Sequence, residues 1–248
     1  MPARKRRIGA MLIAVLVLSW SDAALAGPPL IADDPNTIGA GHVLPIISTS
    51  VIDGGGETLV RAPILDLTVG IVESLDFTLL TPLISRRSAN VTPSWSHTTV
   101  FAPGLKWQFF ETDRGSLCVS PAFYIDAGRL ARSFALLPIE GELKVGRRRK
   151  GTIGFDLGYQ PVVDATHEWF VAPYADYMVN PKLDLLFELW CLGSGATART
   201  GGSLGVNTGP VSGHIRALAA VGTGFVSFGA ARVDVRAYLG VQYMFSRP

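Results

Sequence analysis

Ser212 and His214 stand two residues apart, and Ser96 is followed directly by His97. A hydroxyl beside an imidazole is the pair that acyl transfer uses, with a third group orienting the base. The spacing of Ser212 and His214 puts both on one face of a strand. That face is the polar one, whereas a hydrolase of membrane lipid needs its pair on the lipid side. With four histidines in 248 residues, one such coincidence is expected by chance, and no catalytic activity is expected. No Cys/His cluster has metal-ligand spacing. Gly193-Ser194-Gly195 and Gly201-Gly202 read as a flexible loop without the Lys-Ser/Thr that completes a phosphate cradle. Neither metal nor cofactor is expected.

A second set of side chains is charged. Asp66, Asp76, Lys106, Asp126, Glu140, Glu142, Lys144, Asp156, Asp176, Asp184, Glu188, Arg216, Arg232, Asp234 and Arg236 all fall on the polar side of alternating segments. In a closed membrane barrel that side lines the lumen, where charge tunes what passes. The competing reading is a salt-bridged interior that excludes water and stabilises a narrow barrel.

The elements that carry these residues are strands. From about residue 40 the apolar residues recur at every second position. In 183–191, Leu183, Leu185, Phe187, Leu189 and Cys191 oppose Asp184, Leu186, Glu188 and Trp190. Several segments run to about 10–14 residues, which suits a tilted membrane crossing better than a soluble strand of about 5–6. Short connections are expected at 72–74, 111–116, 146–151, 179–182 and 207–210. Longer ones are expected at 52–57, 86–97, 127–136, 163–167, 192–200 and 222–231. The count is about twelve strands, an even number that leaves both termini in the periplasm. Closure is required, because an open sheet edge in lipid leaves unpaired backbone groups costing several kcal/mol each. The expected fold is all-β: a single closed antiparallel transmembrane β-barrel.

Composition agrees. The chain is 48% hydrophobic and only 17% charged, with mean hydropathy +0.31, yet no run reaches the roughly 20 apolar residues of a membrane helix. Arg4 to Arg7, the apolar run from Met11 and Ala24-Leu25-Ala26 form a secretory signal with Gly27 as the first mature residue. The expected organisation is therefore 1–26 signal peptide, 27–38 periplasmic N-terminal segment and 39–248 barrel. Loss of 1–26 removes four basic side chains and Asp22, so the precursor's +2 becomes −1, and the basic pI that hints at nucleic acid disappears. Cys118 falls on the polar face and Cys191 on the apolar one, so two free thiols are expected. Trp95, Trp169, Tyr177 and Tyr243 are placed for interfacial girdles. Tyr243 and Phe245 near the end suit the aromatic-ended last strand that barrel-assembly machinery recognises. The expected partners are that machinery, the lipid of a Gram-negative outer membrane and a small-molecule solute.

The mature start, Gly27-Pro28-Pro29-Leu30-Ile31-Ala32-Asp33-Asp34-Pro35, resembles the opening of the family of outer-membrane transporters named for the meta-pathway of phenol degradation. Asp66 to Gly70, Gly104-Leu105-Lys106, Pro181-Lys182-Leu183 with Glu188, Gly222-Thr223-Gly224 and Tyr238-Leu239-Gly240 are similar to its recurrent strand and turn motifs. The resemblance implies an outer-membrane location and uptake of hydrophobic or aromatic compounds. Three functions are thus weighed: a channel for small organic molecules, favoured by the resemblance and the polar face; a structural barrel without transport; and a membrane-embedded lipid hydrolase.

Overall fold

The computed structural model describes residues 32–88, 95–128, 133–146, 150–161, 167–195, 197–208, 214–227 and 232–245. These form the strands β1 (Val43–Gly54), β2 (Glu57–Val72), β3 (Leu75–Ser88), β4 (Trp95–Glu111), β5 (Gly115–Val119), β6 (Ala122–Asp126) and β7 (Phe134–Val145). They continue as β8 (Gly151–Gln160), β9 (Glu168–Asn180), β10 (Leu183–Ser194), β11 (Thr197–Thr208), β12 (Ile215–Ser227) and β13 (Arg232–Tyr243). Each pairs antiparallel with its neighbours, and β13 returns to pair with β1, so the sheet closes on itself.

β5 and β6 are two halves of one crossing, since both pair with β4 and with β7. The break falls at Ser120-Pro121, where proline has no N–H to give the ladder. Ser120 N still donates to Pro138 O at 3.1 Å, and Leu105 N donates to Pro121 O at 3.0 Å. The wall therefore holds twelve crossings.

The two faces differ as the alternation demands. On β10, Leu185, Phe187 and Leu189 are 46%, 45% and 51% exposed, whereas Glu188 and Trp190 are 0% and 2% exposed. A soluble sandwich hides its apolar face; here the apolar face is outermost on strand after strand, and the charges are inside. That inversion makes the protein a transmembrane barrel. Exposed Trp95 and Trp169 sit near one end of the wall, and Trp107 and Tyr177 near the end that carries Val43 and Phe245. Tyr243 is half-buried and packs on Phe245. Both cysteines are free, Cys118 buried inside and Cys191 half-buried.

Several connections differ from the expected ones because strands continue past the hydrocarbon. The loop expected at 52–57 is a two-residue turn, Gly55-Gly56, with φ of +60° and +82°. A tight hairpin turn with positive φ at both central residues matches strand twist, and glycine adopts it without strain. Where a loop is expected at 86–97, β3 continues to Ser88 and β4 starts at Trp95, so Ser96-His97 lies in β4; residues 89–94 are outside the described residues. Where a loop is expected at 192–200, β10 continues to Ser194 and β11 starts at Thr197. Gly193, Gly201 and Gly202 are strand residues. A Cβ on Gly193 would collide with the Trp169 ring, and one on Gly201 with the Trp190 ring. Gly193 and Gly201 are thus flat seats for indoles and not parts of a flexible loop.

Inside, an apolar layer of Ala102, Tyr124, Leu136, Phe170, Ala172, Tyr174, Trp190 and Ala220 crosses the barrel. Toward the end that carries Val43 and Phe245, the interior becomes polar and charged.

Candidate functional site

The residues before β1 form the centre of the site. The stretch 27–38 reads from sequence as a segment on the periplasmic side; its described part, 32–38, runs inside the wall. Ala32 packs into the apolar layer, and its backbone N donates to Glu188 Oε2 of β10. Asp33 Oδ2 meets Lys106 Nζ of β4 at 2.7 Å, and the Asp34 carbonyl accepts from the same Nζ at 2.6 Å. Asn36 Nδ2 donates to Glu142 Oε1 of β7 at 3.0 Å, while Ser116 Oγ of β5 donates to Asn36 Oδ1 at 3.1 Å. The Thr37 hydroxyl lies 2.9 Å from Gln108 Oε1, and Ile38 N donates to Asp76 Oδ2 of β3 at 2.9 Å. The segment leaves past Gly41, whose N donates to Gly70 O at 3.0 Å. A polar stretch can lie here because the lumen wall supplies a partner for nearly every group it carries.

Around the segment lies a cavity of about 470 Å³. Ten of the charged residues singled out in the sequence line it: Asp66, Asp76, Lys106, Glu140, Glu142, Lys144, Asp156, Asp176, Asp184 and Arg216. Asp33 and Asp34 join them, giving nine carboxylates against three basic side chains. Lys106 also lies 3.4 Å from Glu140 Oε2, so it bridges wall and segment. Glu140 further accepts from Ser120 Oγ at 2.5 Å and from Cys118 Sγ at 3.1 Å.

The other five are placed elsewhere. Glu188 is fully buried, accepting from Ala32 N and from Ser203 Oγ at 3.3 Å. Asp126 accepts from Thr98 Oγ1 at 2.6 Å and from Gly128 N at 2.8 Å, near the end remote from Val43 and Phe245. Asp234 pairs with Arg199 at 2.5 Å and lies 3.4 Å from Arg236 Nε. The Arg236 guanidinium covers the Trp190 ring at 4.1 Å. The Arg232 side chain lies outside the described residues. The interior thus divides into a salt-bridged, packed cluster around Arg199, Asp234, Arg236 and Trp190, and a carboxylate-rich chamber nearer the end that carries Val43 and Phe245.

Sequence reasoning missed Asp33, Asp34, Asn36 and Thr37 as interior groups, together with Ser116 and Gln108, which meet Asn36 and Thr37. The available signal was Lys106, one of few cations on a predominantly acidic inward face. Ser212 lies outside the described residues, so its pairing with His214 is untouched by the structure. His97 does not use Ser96; its Nδ1 lies 2.8 Å from Ser85 Oγ on β3. Among the described residues no carboxylate hydrogen-bonds His97, so the orienting group of a triad is missing there. No group of three or more metal-ligating side chains occurs among the described residues.

No protein-family model matches the chain, and no curated protein matches it either. Solved structures do. The COG4313 outer membrane channel from Pseudomonas putida F1 superposes with a TM-score of 0.62 at 13% identity, covering 89% of this chain and 100% of that one. The translocator domain of autotransporter NalP from Neisseria meningitidis gives 0.58 at 12% identity, covering 97% of each chain. The CymD monoaromatic hydrocarbon channel gives 0.53 at 9% identity, covering 85% of this chain and 90% of that one. What is shared is the fold. At such identities the likeness carries the barrel and leaves the contents of the lumen to be argued from this chain's own residues.

Proposed function

We propose that this protein is an outer-membrane channel for small organic molecules, aromatic or hydrophobic ones among them. The observation that carries the reading is a closed wall, apolar outside, around a 470 Å³ chamber lined by ionisable side chains. A barrel that served only as an anchor could fill that space with packed side chains. The likeness to outer-membrane channels, one of them for monoaromatic hydrocarbons, supports the reading, as does the resemblance of the N-terminal motif to phenol-pathway transporters. The segment 32–38 narrows the path and sets how wide it is. In this reading the signal peptide ends at Ala26, the assembly machinery inserts the barrel, and the barrel end that carries Val43 and Phe245 faces the periplasm.

Planar-bilayer conductance and solute uptake into liposomes test the proposal, using full-length mature protein and a variant lacking 27–36. Conductance that rises on removal of the segment supports a gated path. Absence of permeation in both proteins overturns the channel and favours a structural barrel. Lipid turnover by the pure protein, lost on Ser85→Ala, would instead favour a hydrolase. Fractionation with the outer membrane and an N-terminus at Gly27 check the location, and recovery in detergent-free periplasm would refute it.

A further inference from the structure

We propose that the chamber selects for cations, and that the organic solutes it takes best are small protonated amines carrying an aromatic or alkyl group. The inference rests on the channel reading and names its substrate class.

Charge is the first observation. Nine carboxylates face three basic side chains across one cavity, and Lys106 is already engaged by Asp33 and Glu140. A cleft lined by one sign of charge within low-dielectric walls concentrates the opposite ion. An anion entering this space meets carboxylates from β2, β3, β7, β8, β9 and β10.

Unpartnered acceptors are the second, independent observation. Asp76 and Asp156 line the chamber and are 0% and 2% exposed, yet Oδ1 of each has no hydrogen-bond partner. The Asp76 Oδ2 is taken by the segment, so Oδ1 is the atom left for a solute. A buried acceptor without a donor is costly. An ammonium group brings three N–H donors with its charge, whereas a neutral phenol brings one and a carboxylate none.

The third observation says why the cation should be organic. Tyr124, Phe170 and Tyr174 line the same chamber on the side of the apolar layer. Ring faces attract cations and accept apolar groups. A protonated amine with a ring can therefore place its charge among the carboxylates and its apolar part against these rings.

Ion selectivity of the full-length protein in planar bilayers tests this. Under a KCl gradient, K⁺ should permeate at least about tenfold better than Cl⁻, the lower end of what such focusing gives. With benzylammonium and benzoate salts, which share a ring and differ in charge, benzylammonium should carry current and benzoate should not. The triple variant Asp66→Asn, Asp176→Asn, Asp184→Asn removes no hydrogen bond named above for the segment, leaves six carboxylates against three basic side chains, and should lower the K⁺/Cl⁻ ratio severalfold; an unchanged ratio overturns the inference. If that variant fails to fold, the wild-type currents alone still decide. Conduction with equal or anion preference overturns the inference and leaves the channel standing. Absence of conduction in both the wild type and the variant lacking 27–36 overturns the channel and the inference together.

Discussion

Lys106 bonds the internal segment twice, and replacing it by Met should free that segment. Its Nζ makes two contacts with the segment, to Asp33 Oδ2 and to the Asp34 carbonyl, and one with the wall, to Glu140. The wall contact is the same whether the segment is inside or not, so it affects stability and not position. The Asp33 side chain is 40% exposed, so its ion pair is screened and contributes about 1 kcal/mol or less. The hydrogen bond from the ammonium to the Asp34 carbonyl adds about 1.5–3 kcal/mol. Retention thus weakens by about 1.5–4 kcal/mol, which at about 1.4 kcal/mol per decade is about 10- to 1,000-fold in the population outside. The readout is maleimide labelling of Ala32→Cys, a site 7% exposed within the apolar layer, with Cys118→Ser and Cys191→Ala removing the native thiols. Adding Glu140→Gln avoids leaving an uncompensated carboxylate, so folding is preserved. Labelling in Lys106→Met/Glu140→Gln within threefold of the Glu140→Gln parent would refute the assignment of Lys106 as the clamp.

Two other outcomes follow from the wall. Phe187→Arg places a charge on the lipid face and should cost about 2–4 kcal/mol near the midplane, read as a lower denaturant midpoint for folding into bilayers; an unchanged midpoint would reverse the face assignment. Gly201→Leu drives a side chain into the Trp190 ring and the Thr223 carbonyl and should cost about 1–3 kcal/mol. Gly202→Ala, whose Cβ would meet its nearest atoms at 3.2 Å, should cost less, and equal losses at the two positions would sink the seat interpretation.

The face of every strand was legible wherever charge and apolar bulk alternate, as in Leu183 to Cys191, because a period of two has one physical meaning in a closed wall. Strand ends were less legible. Arg86, Arg87 and Ser88 are polar on both faces, since β3 there has left the hydrocarbon, and a two-sided polar run reads as loop. Glycine hides its parity altogether, so Gly193 and Gly201 looked like a flexible loop until their indole partners came into view. The segment 32–38 carries no alternation to be read. Its place follows from partners on β3, β4, β5, β7, β8 and β10, and pairings so distant in sequence leave no local mark. The charged set of the lumen was named from strand parity, while its separation into a packed cluster and an acidic chamber depends on which residues share a level around the barrel.

The internal segment is covalently part of the wall that surrounds it. Eleven residues, 32–42, join Ala32 to the first strand at Val43, a tether that reaches at most about 36–40 Å when fully extended. Its tip cannot diffuse away from the barrel mouth, so its local concentration there is on the order of millimolar whatever the protein concentration. Occupancy of the lumen is therefore immune to dilution, and a soluble peptide of the same sequence would need comparable millimolar amounts to compete. Individually weak contacts, such as Asn36 with Glu142, suffice to keep the segment in place under those terms. The free width of the lumen is then set by an intramolecular equilibrium within one chain.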